Sequence, residues 1–388
     1  MWFMRKFIVV MLFFVLMPAV AWAKEPTNAE LYQMIQKLES KLDAAIEETN
    51  RAKAEASQAK EEAAKAKAEL AQIKEGAPSA LADVSLVRTA DTKPGPGASF
   101  EVLYMRPSRS NLDFVVVDQN SNSTVEGRTK EINPDYDVGG RLGLSYNLGS
   151  GTDVVLQYTW LETKDSESVT RGAGGTLWGN WLNPNTSYIN DYDAVSAAAE
   201  YEFDYYTMDL GIGQRLDIGK RFGLRIDAGL RYANMTQDFD VMYRDAADRV
   251  NIMQDNDFSG WGGRVGLGLD WRIGYGFNVF SAVAGSVLVG DFDLSYKDIA
   301  NGTVVEGYLK ESISNRLIPV LETRFGIGYA YQLQNGWSIG AKIGYEWQNW
   351  FNMVTAKRFV DDIGDNAMET DTTDVALDGF FFQGHINF

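Results

Sequence analysis

From Ala98 to the C-terminus the chain alternates with a period of two, and that feature leaves few folds open. Phe222, Leu224, Ile226, Ala228, Leu230 and Tyr232 alternate with Gly223, Arg225, Asp227, Gly229, Arg231 and Ala233. Trp261, Gly263, Val265, Leu267, Leu269, Trp271 and Ile273 alternate with Gly262, Arg264, Gly266, Gly268, Asp270 and Arg272. The same split runs from Leu321 to Leu333, against Glu322, Arg324, Gly326 and Gly328, and from Trp337 to Trp347, against Lys342, Gly344 and Glu346. Strands of this kind set one face against an apolar medium and the other against charge and glycine. A soluble sandwich also alternates, and two further signs separate the cases. Trp160, Trp261, Trp271, Trp337 and Trp347 stand near the ends of apolar faces, as girdle residues at two membrane interfaces do. Turns near Gly149-Ser150-Gly151, Gly219-Lys220, Tyr275-Gly276 and Asn335-Gly336 are short, and the polar connections between them run to roughly 15 to 30 residues. Short turns at one end and long loops at the other predict an all-β, antiparallel transmembrane barrel of the outer-membrane type.

Ten strands are expected, near 98–107, 136–148, 152–163, 194–217, 221–239, 258–273, 276–292, 316–333, 337–350 and 376–388. Within 194–217 the apolar parity switches from Tyr201, Phe203 and Tyr205 to Tyr206, Met208, Leu210 and Ile212. That switch reads as a bulge, or as a hidden turn that makes the count twelve. Pro319 donates no ladder hydrogen bond and belongs near the rim or at a bulge. The last strand carries Phe380, Phe382, Ile386 and Phe388 on one face, an aromatic terminal pattern of the kind read by the barrel-assembly machinery.

The N-terminal quarter is of another kind. Arg5 and Lys6, an apolar run from Phe7 to Ala23 and the small-x-small triplet Ala21-Trp22-Ala23 predict a secretory signal peptide over 1–23. Over 24–75 a heptad runs unbroken. Leu31, Ile35, Leu38, Leu42, Leu70 and Ile73 belong to its seam, with alanines between, which predicts a periplasmic coiled coil whose thin seam suits a trimer. Gly76, Pro78 and Lys93-Pro94-Gly95-Pro96-Gly97 make 76–97 a linker in which neither helix nor strand is expected.

The absence of cysteine removes disulfides and thiolate chemistry, and the single histidine, His385, removes most histidine catalysis and zinc binding. A formal charge of −17, with no basic stripe, argues against nucleic acid. Gly262, Gly263, Gly266 and Gly268 mimic a phosphate loop but lie inside a strand with no helix following. Asp361, Asp362, Asp365, Glu369, Asp371 and Asp374 form an acidic run, read as a solvated loop, and Trp178, Trp181, Tyr188 and Tyr192 read as loop packing. No enzyme, cofactor or metal site is expected.

Function is therefore sought in the inward charge. Arg141, Arg215, Arg225, Arg231, Arg264, Arg272, Arg324 and Lys342 are placed against Asp209, Asp227, Asp270, Glu322 and Glu346, which gives a slightly basic lumen favouring anions. A salt-bridged plug is the competing reading, since ten strands enclose little room. The inward glycines leave space for water or ease curvature.

At this point a resemblance enters. Phe100-Glu101-Val102-Leu103-Tyr104-Met105-Arg106-Pro107-Ser108, Asp135-Tyr136-Asp137-Val138-Gly139-Gly140-Arg141-Leu142-Gly143, Asp204-Tyr205-Tyr206-Thr207-Met208-Asp209-Leu210, Ala228-Gly229-Leu230-Arg231-Tyr232-Ala233 and Gly260-Trp261-Gly262-Gly263-Arg264-Val265-Gly266 resemble the Legionella major outer membrane protein type of pore-forming barrel. The resemblance covers 98–388 and implies a pore with no catalytic residues. The cysteine cross-linking associated with the Legionella protein is impossible here, and the heptad has no counterpart to inherit. The expectation is a porin-like barrel for passive diffusion of small hydrophilic solutes in the outer membrane of a Gram-negative bacterium. The alternative is a structural protein that uses its coiled coil for oligomerisation or cell-wall tethering. Outer-membrane lipid, lipopolysaccharide, the assembly machinery, further copies of the chain and peptidoglycan are the expected partners.

Overall fold

The computed structural model describes residues 87–90, 93–120, 124–183, 188–189, 194–334, 336–359 and 368–388. The signal peptide, the heptad seam from Leu31 to Ile73, the acids Asp361, Asp362 and Asp365, and Tyr192 lie outside the described residues. The described residues form fourteen strands: β1 Val87–Thr89, β2 Gly95–Ser108, β3 Asp113–Asp118, β4 Arg128–Glu131, β5 Asp137–Gly149, β6 Thr152–Thr170, β7 Thr176–Gly179, β8 Ser196–Ile218, β9 Phe222–Arg244, β10 Arg249–Gly274, β11 Phe277–Ala300, β12 Val304–Gln332, β13 Ser338–Phe359 and β14 Met368–Asn387. Ten of them pair antiparallel in the order β2, β5, β6, β8, β9, β10, β11, β12, β13, β14, and β14 returns to β2, which closes the ring. The remaining elements are β1, which pairs with the end of β8, and a separate sheet of β4, β3 and β7.

The parity switch in β8 is neither a bulge nor a turn. β8 runs 23 residues and pairs without a register shift to both neighbours. Inward positions are odd throughout, from Ala197 through Tyr201, Phe203 and Tyr205 to Asp209 and Arg215. What changes is the face that carries the apolar residues. Tyr206, Met208, Leu210 and Ile212 point outward near the short turns, whereas Tyr201, Phe203 and Tyr205 point inward near the long connections. β9 repeats the exchange: its outward face passes from Leu230 and Tyr232 to Asn234, Thr236, Asp238 and Asp240, and its inward face from Arg231 to Met235, Phe239 and Tyr243. The barrel therefore has an apolar outer band and, above it, a wall that is wet outside and dry inside. On β10 the band runs from Trp261 to Trp271, both exposed, or about 33 Å of strand, which at barrel tilt gives a height of about 25 Å, as membrane barrels require.

This exchange corrects two expectations. The connections after 239 and 292 are largely strand, and β9–β10 and β11–β12 close through the short segments 245–248 and 301–303. The Lys93–Gly97 stretch is not wholly a linker: β2 begins at Gly95, with Pro96 at the rim, where its missing N–H costs the ladder little, and β1 occupies 87–89. Pro319 lies one residue beyond Val320, the last residue of β12 paired with β13, next to the register shift between Trp350 and Val354, and is paired on the other side with Val287 of β11. Glycines pair directly across strands at Gly211 with Gly229 and Gly326 with Gly344. A Cβ on Gly229 would lie 2.2 Å from the Leu210 carbonyl oxygen, so that pair serves tight curvature.

Candidate functional site in the lumen

All thirteen charged residues expected in the lumen project inward: Arg141 from β5, Asp209 and Arg215 from β8, Arg225, Asp227 and Arg231 from β9, Arg264, Asp270 and Arg272 from β10, Glu322 and Arg324 from β12, and Lys342 and Glu346 from β13. The expected basic excess is absent. Glu101, Asp153 and Asp217, which share the inward parity of β2, β6 and β8, join the five expected acids, so that eight carboxylates face the lumen with eight cations. Asp153 and Asp217 sit where a strand begins or ends, and Glu101 where the inner face of β2 turns from polar to apolar, so none of the three lies in a long alternating run of charge and glycine.

The lumen is layered. At the short-turn end lies a cavity of about 960 Å³, whose lining includes Asp153, Arg215, Arg225, Asp270, Arg272, Lys342, Gln383 and His385, together with the turn glycines Gly274 and Gly276. Arg225 forks onto Asp153 and Arg272 pairs with Asp217. Lys342 lies over the Phe280 ring, 5.2 Å from its centroid. His385, expected near the end of the last strand, faces this cavity beside Gly340, where a Cβ would collide with its ring.

Above the cavity the charges lock into two clusters. Arg141 and Arg324 alternate with Glu101 and Glu346 in a closed square, with contacts of 2.7 Å from Arg141 to each acid and of 2.7 and 3.0 Å from Arg324 to Glu101 and Glu346. Arg141 also donates Nε to Thr159 at 2.9 Å. In the second cluster Arg231 bridges Asp209 and Glu322, and Arg264 bridges Asp227 at 2.9 Å and Glu322 at 3.1 Å. Each buried acid thus has a cation and each guanidinium an acid, the condition under which charges persist in a low-dielectric wall.

The next layer spans the lumen. β8 and β13 stand five places apart in the ring of ten, diametrically opposed. From them Tyr205 and Trp350 meet edge to face, with centroids 5.7 Å apart. Both Tyr205 Oη and Trp350 Nε1 donate to Gln348 Oε1 at 3.2 Å, and Gln348 Nε2 donates to Glu346 at 2.7 Å. The aromatic bridge is thereby tied to the charged square. Beyond it the inward residues form one apolar cluster that takes in Leu103, Met105, Phe203, Phe258 and Phe292 and, from the inserted segments, Phe114, Leu177, Trp181 and Leu182. Trp181 is indeed loop packing, its Nε1 donating to the Asp113 carbonyl at 2.6 Å. Sequence parity alone did not identify Tyr205, Gln348 and Trp350 as a bridge, because contact across a lumen depends on ring position.

Phe380, Phe382 and Phe388 are exposed on the outer face of β14, and Ile386 shares that parity. Outside the band, Asp238 and Asp240 on β9 are pushed up to about 6, by partial burial first and then by neighbouring carboxylates that include Asp255.

The family model described as Legionella pneumophila major outer membrane protein precursor matches residues 93–388. No curated protein matches the chain. Among solved structures, the outer membrane protease OmpT from Escherichia coli is 9% identical and aligns over 77% of this chain and 99% of its own, with a TM-score of 0.40. The outer membrane protein OprG from Pseudomonas aeruginosa is 11% identical over 76% of this chain and 97% of its own, with a TM-score of 0.25. A Pseudomonas aeruginosa FadL homologue is 8% identical over 76% and 90%, with a TM-score of 0.23. With every TM-score below 0.5, the barrel assignment rests on this chain's own closed ladder and on the family match.

Proposed function

The chain belongs to the family of the Legionella pneumophila major outer membrane protein, and on that premise we propose that it is a pore-forming outer-membrane barrel for small hydrophilic solutes or ions, with its short-turn mouth in the periplasm. The observation that carries the reading is the ionised lumen. Eight cations and eight carboxylates face inward within the apolar band, where a purely structural barrel is more simply filled with apolar side chains. The cavity of about 960 Å³ below them gives water and solute a place to stand. Passage requires the Tyr205–Trp350 contact to part, so the pore is narrow and gated. Balanced charge gives weak ion preference, set by whichever pairs open first.

The test is single-channel recording of the refolded protein under a salt gradient. Discrete steps are expected, and Arg264→Gln, which strips Asp227 of its cation, shifts the reversal potential toward cation preference. An unchanged reversal potential removes the lining role of these residues. The Tyr205–Trp350 bridge favours a second reading, a structural barrel that anchors the N-terminal region. A folded protein that stays silent, in wild type and in Trp350→Ala alike, supports that reading instead.

A further inference from the structure

Arg109 follows the last residue of β2, above the apolar band, and turns into the lumen, where it is 8% exposed. Its guanidinium carbon lies 5.2 Å from the centroid of Tyr201 and 5.6 Å from that of Phe239. Nη1 donates to Gln237 Oε1 at 3.4 Å, while Nε and Nη2 have no partner. Among the described residues no carboxylate forms an ion pair with it. The two free nitrogens belong to one edge of the guanidinium, the edge whose parallel N–H groups match the two oxygens of a carboxylate. Two residues on, Asn111 is 5% exposed and both of its amide atoms lack partners. The hydroxyl of Thr163 is likewise buried and unpartnered, opposite Phe203 on the β8 wall.

Buried polar atoms are nearly always paired, and a desolvated cation without a counter-charge is costly. Every guanidinium of the two charged clusters is in an ion pair, whereas Arg109, among the described residues, has only the more distant charge of Asp371 and the Tyr201 hydroxyl beside it. It is nevertheless held over the rings of Tyr201 and Phe239, cross-strand neighbours on the inner wall, with Nε and Nη2 unpaired. We propose that this fork is the recognition group for a small organic carboxylate. Nε and Nη2 take the two carboxylate oxygens, the rings of Tyr201 and Phe239 cover the apolar body of the solute, and Asn111 and Thr163 meet its polar substituents. The proposal deepens the pore reading by naming its solute class and a specificity-determining residue, and as a binding claim it stands apart from conduction.

The experiment titrates the refolded protein in detergent micelles with benzoate by calorimetry, with neutral benzamide as the comparison, and repeats it on Arg109→Lys and Arg109→Met after checking folding by gel mobility. Saturable benzoate binding is expected, with benzamide at least tenfold weaker. Arg109→Lys, which keeps the charge and loses the fork, is expected to weaken benzoate at least tenfold. Lysine binding as well as arginine refutes the fork. No saturable binding to folded wild type shows an edge occupied by water alone and overturns the site. Conduction without benzoate binding removes this inference and spares the pore; benzoate binding in a silent barrel does the reverse.

Discussion

Arg141→Met tests whether the charged square is dry. In the native barrel Arg141 holds four hydrogen bonds, to Thr159, to Glu101 and two to Glu346. Its side chain is 6% exposed and those of both acids 1%. Removing it leaves Glu101 and Glu346 sharing Arg324 alone, one buried carboxylate in excess. Breaking a buried pair in this way costs about 3–5 kcal/mol, or roughly two to four powers of ten in the unfolding equilibrium. Arg141→Met with Glu346→Met restores the balance between Arg324 and Glu101, and replacement of a whole pair by apolar side chains is commonly neutral. The double variant is therefore expected within about 1 kcal/mol of wild type, which makes the coupling larger than the range of about 0.5–3 kcal/mol usual for contacting residues. The assay is urea unfolding in lipid vesicles, followed by tryptophan fluorescence. A single-variant cost below about 1 kcal/mol, the level of an exposed pair, refutes the reasoning. It means that water already reaches the square and that the barrel is open at its centre.

Trp350→Ala removes the ring that meets Tyr205 across the lumen, so it is expected to cost about 3–5 kcal/mol and to raise single-channel conductance; conductance equal to wild type removes the gate from that contact. Asp238 and Asp240, pushed up to about 6 from 3.8, bind protons more tightly when folded. They therefore favour the fold at low pH and lose that contribution as pH rises from about 4 to 6. Asp238→Asn with Asp240→Asn is expected to flatten the pH dependence of thermal unfolding in that window, and an unaltered profile counts against it. Asp298, fully buried and held by the Asn183 amide, is pushed up to about 7 by burial, with Glu306 adding to it and Asn183 opposing it. Deprotonation as pH rises through 7 is expected to lower the stability of the fold, read as a lower thermal midpoint at pH 8.5 than at pH 6, a difference that Asp298→Asn abolishes.

The band of the barrel was legible because it obeys one rule along its whole height: apolar out, charge and glycine in. Trp261 to Trp271 and Phe222 to Tyr232 announce it directly, and all thirteen charged residues expected in the lumen lie on the inner face. The rest followed a second rule with the signs exchanged. Above the girdle the outer wall meets water and the inner wall meets itself, so Asn234, Thr236 and Asp238 take the outside, and Met235, Phe239 and Tyr243 the inside. Read as one rule, that exchange looks like broken parity and suggests a bulge at 205–206 and loops after 239 and 292. Read as two, it leaves every strand continuous and marks the height at which the outer medium changes from lipid to water. The same exchange closes the lumen. A barrel that continues beyond the membrane must find apolar burial inward, because none is on offer outside, and Tyr205 and Trp350 stand at the first level where inward apolar residues are large enough to meet across ten strands. A solute entering from the end of the long connections would therefore run past aromatic side chains before it reached the paired charges. If the barrel conducts as proposed, the barrier to conduction and the residues whose truncation lowers it lie at this bridge, above the charged clusters.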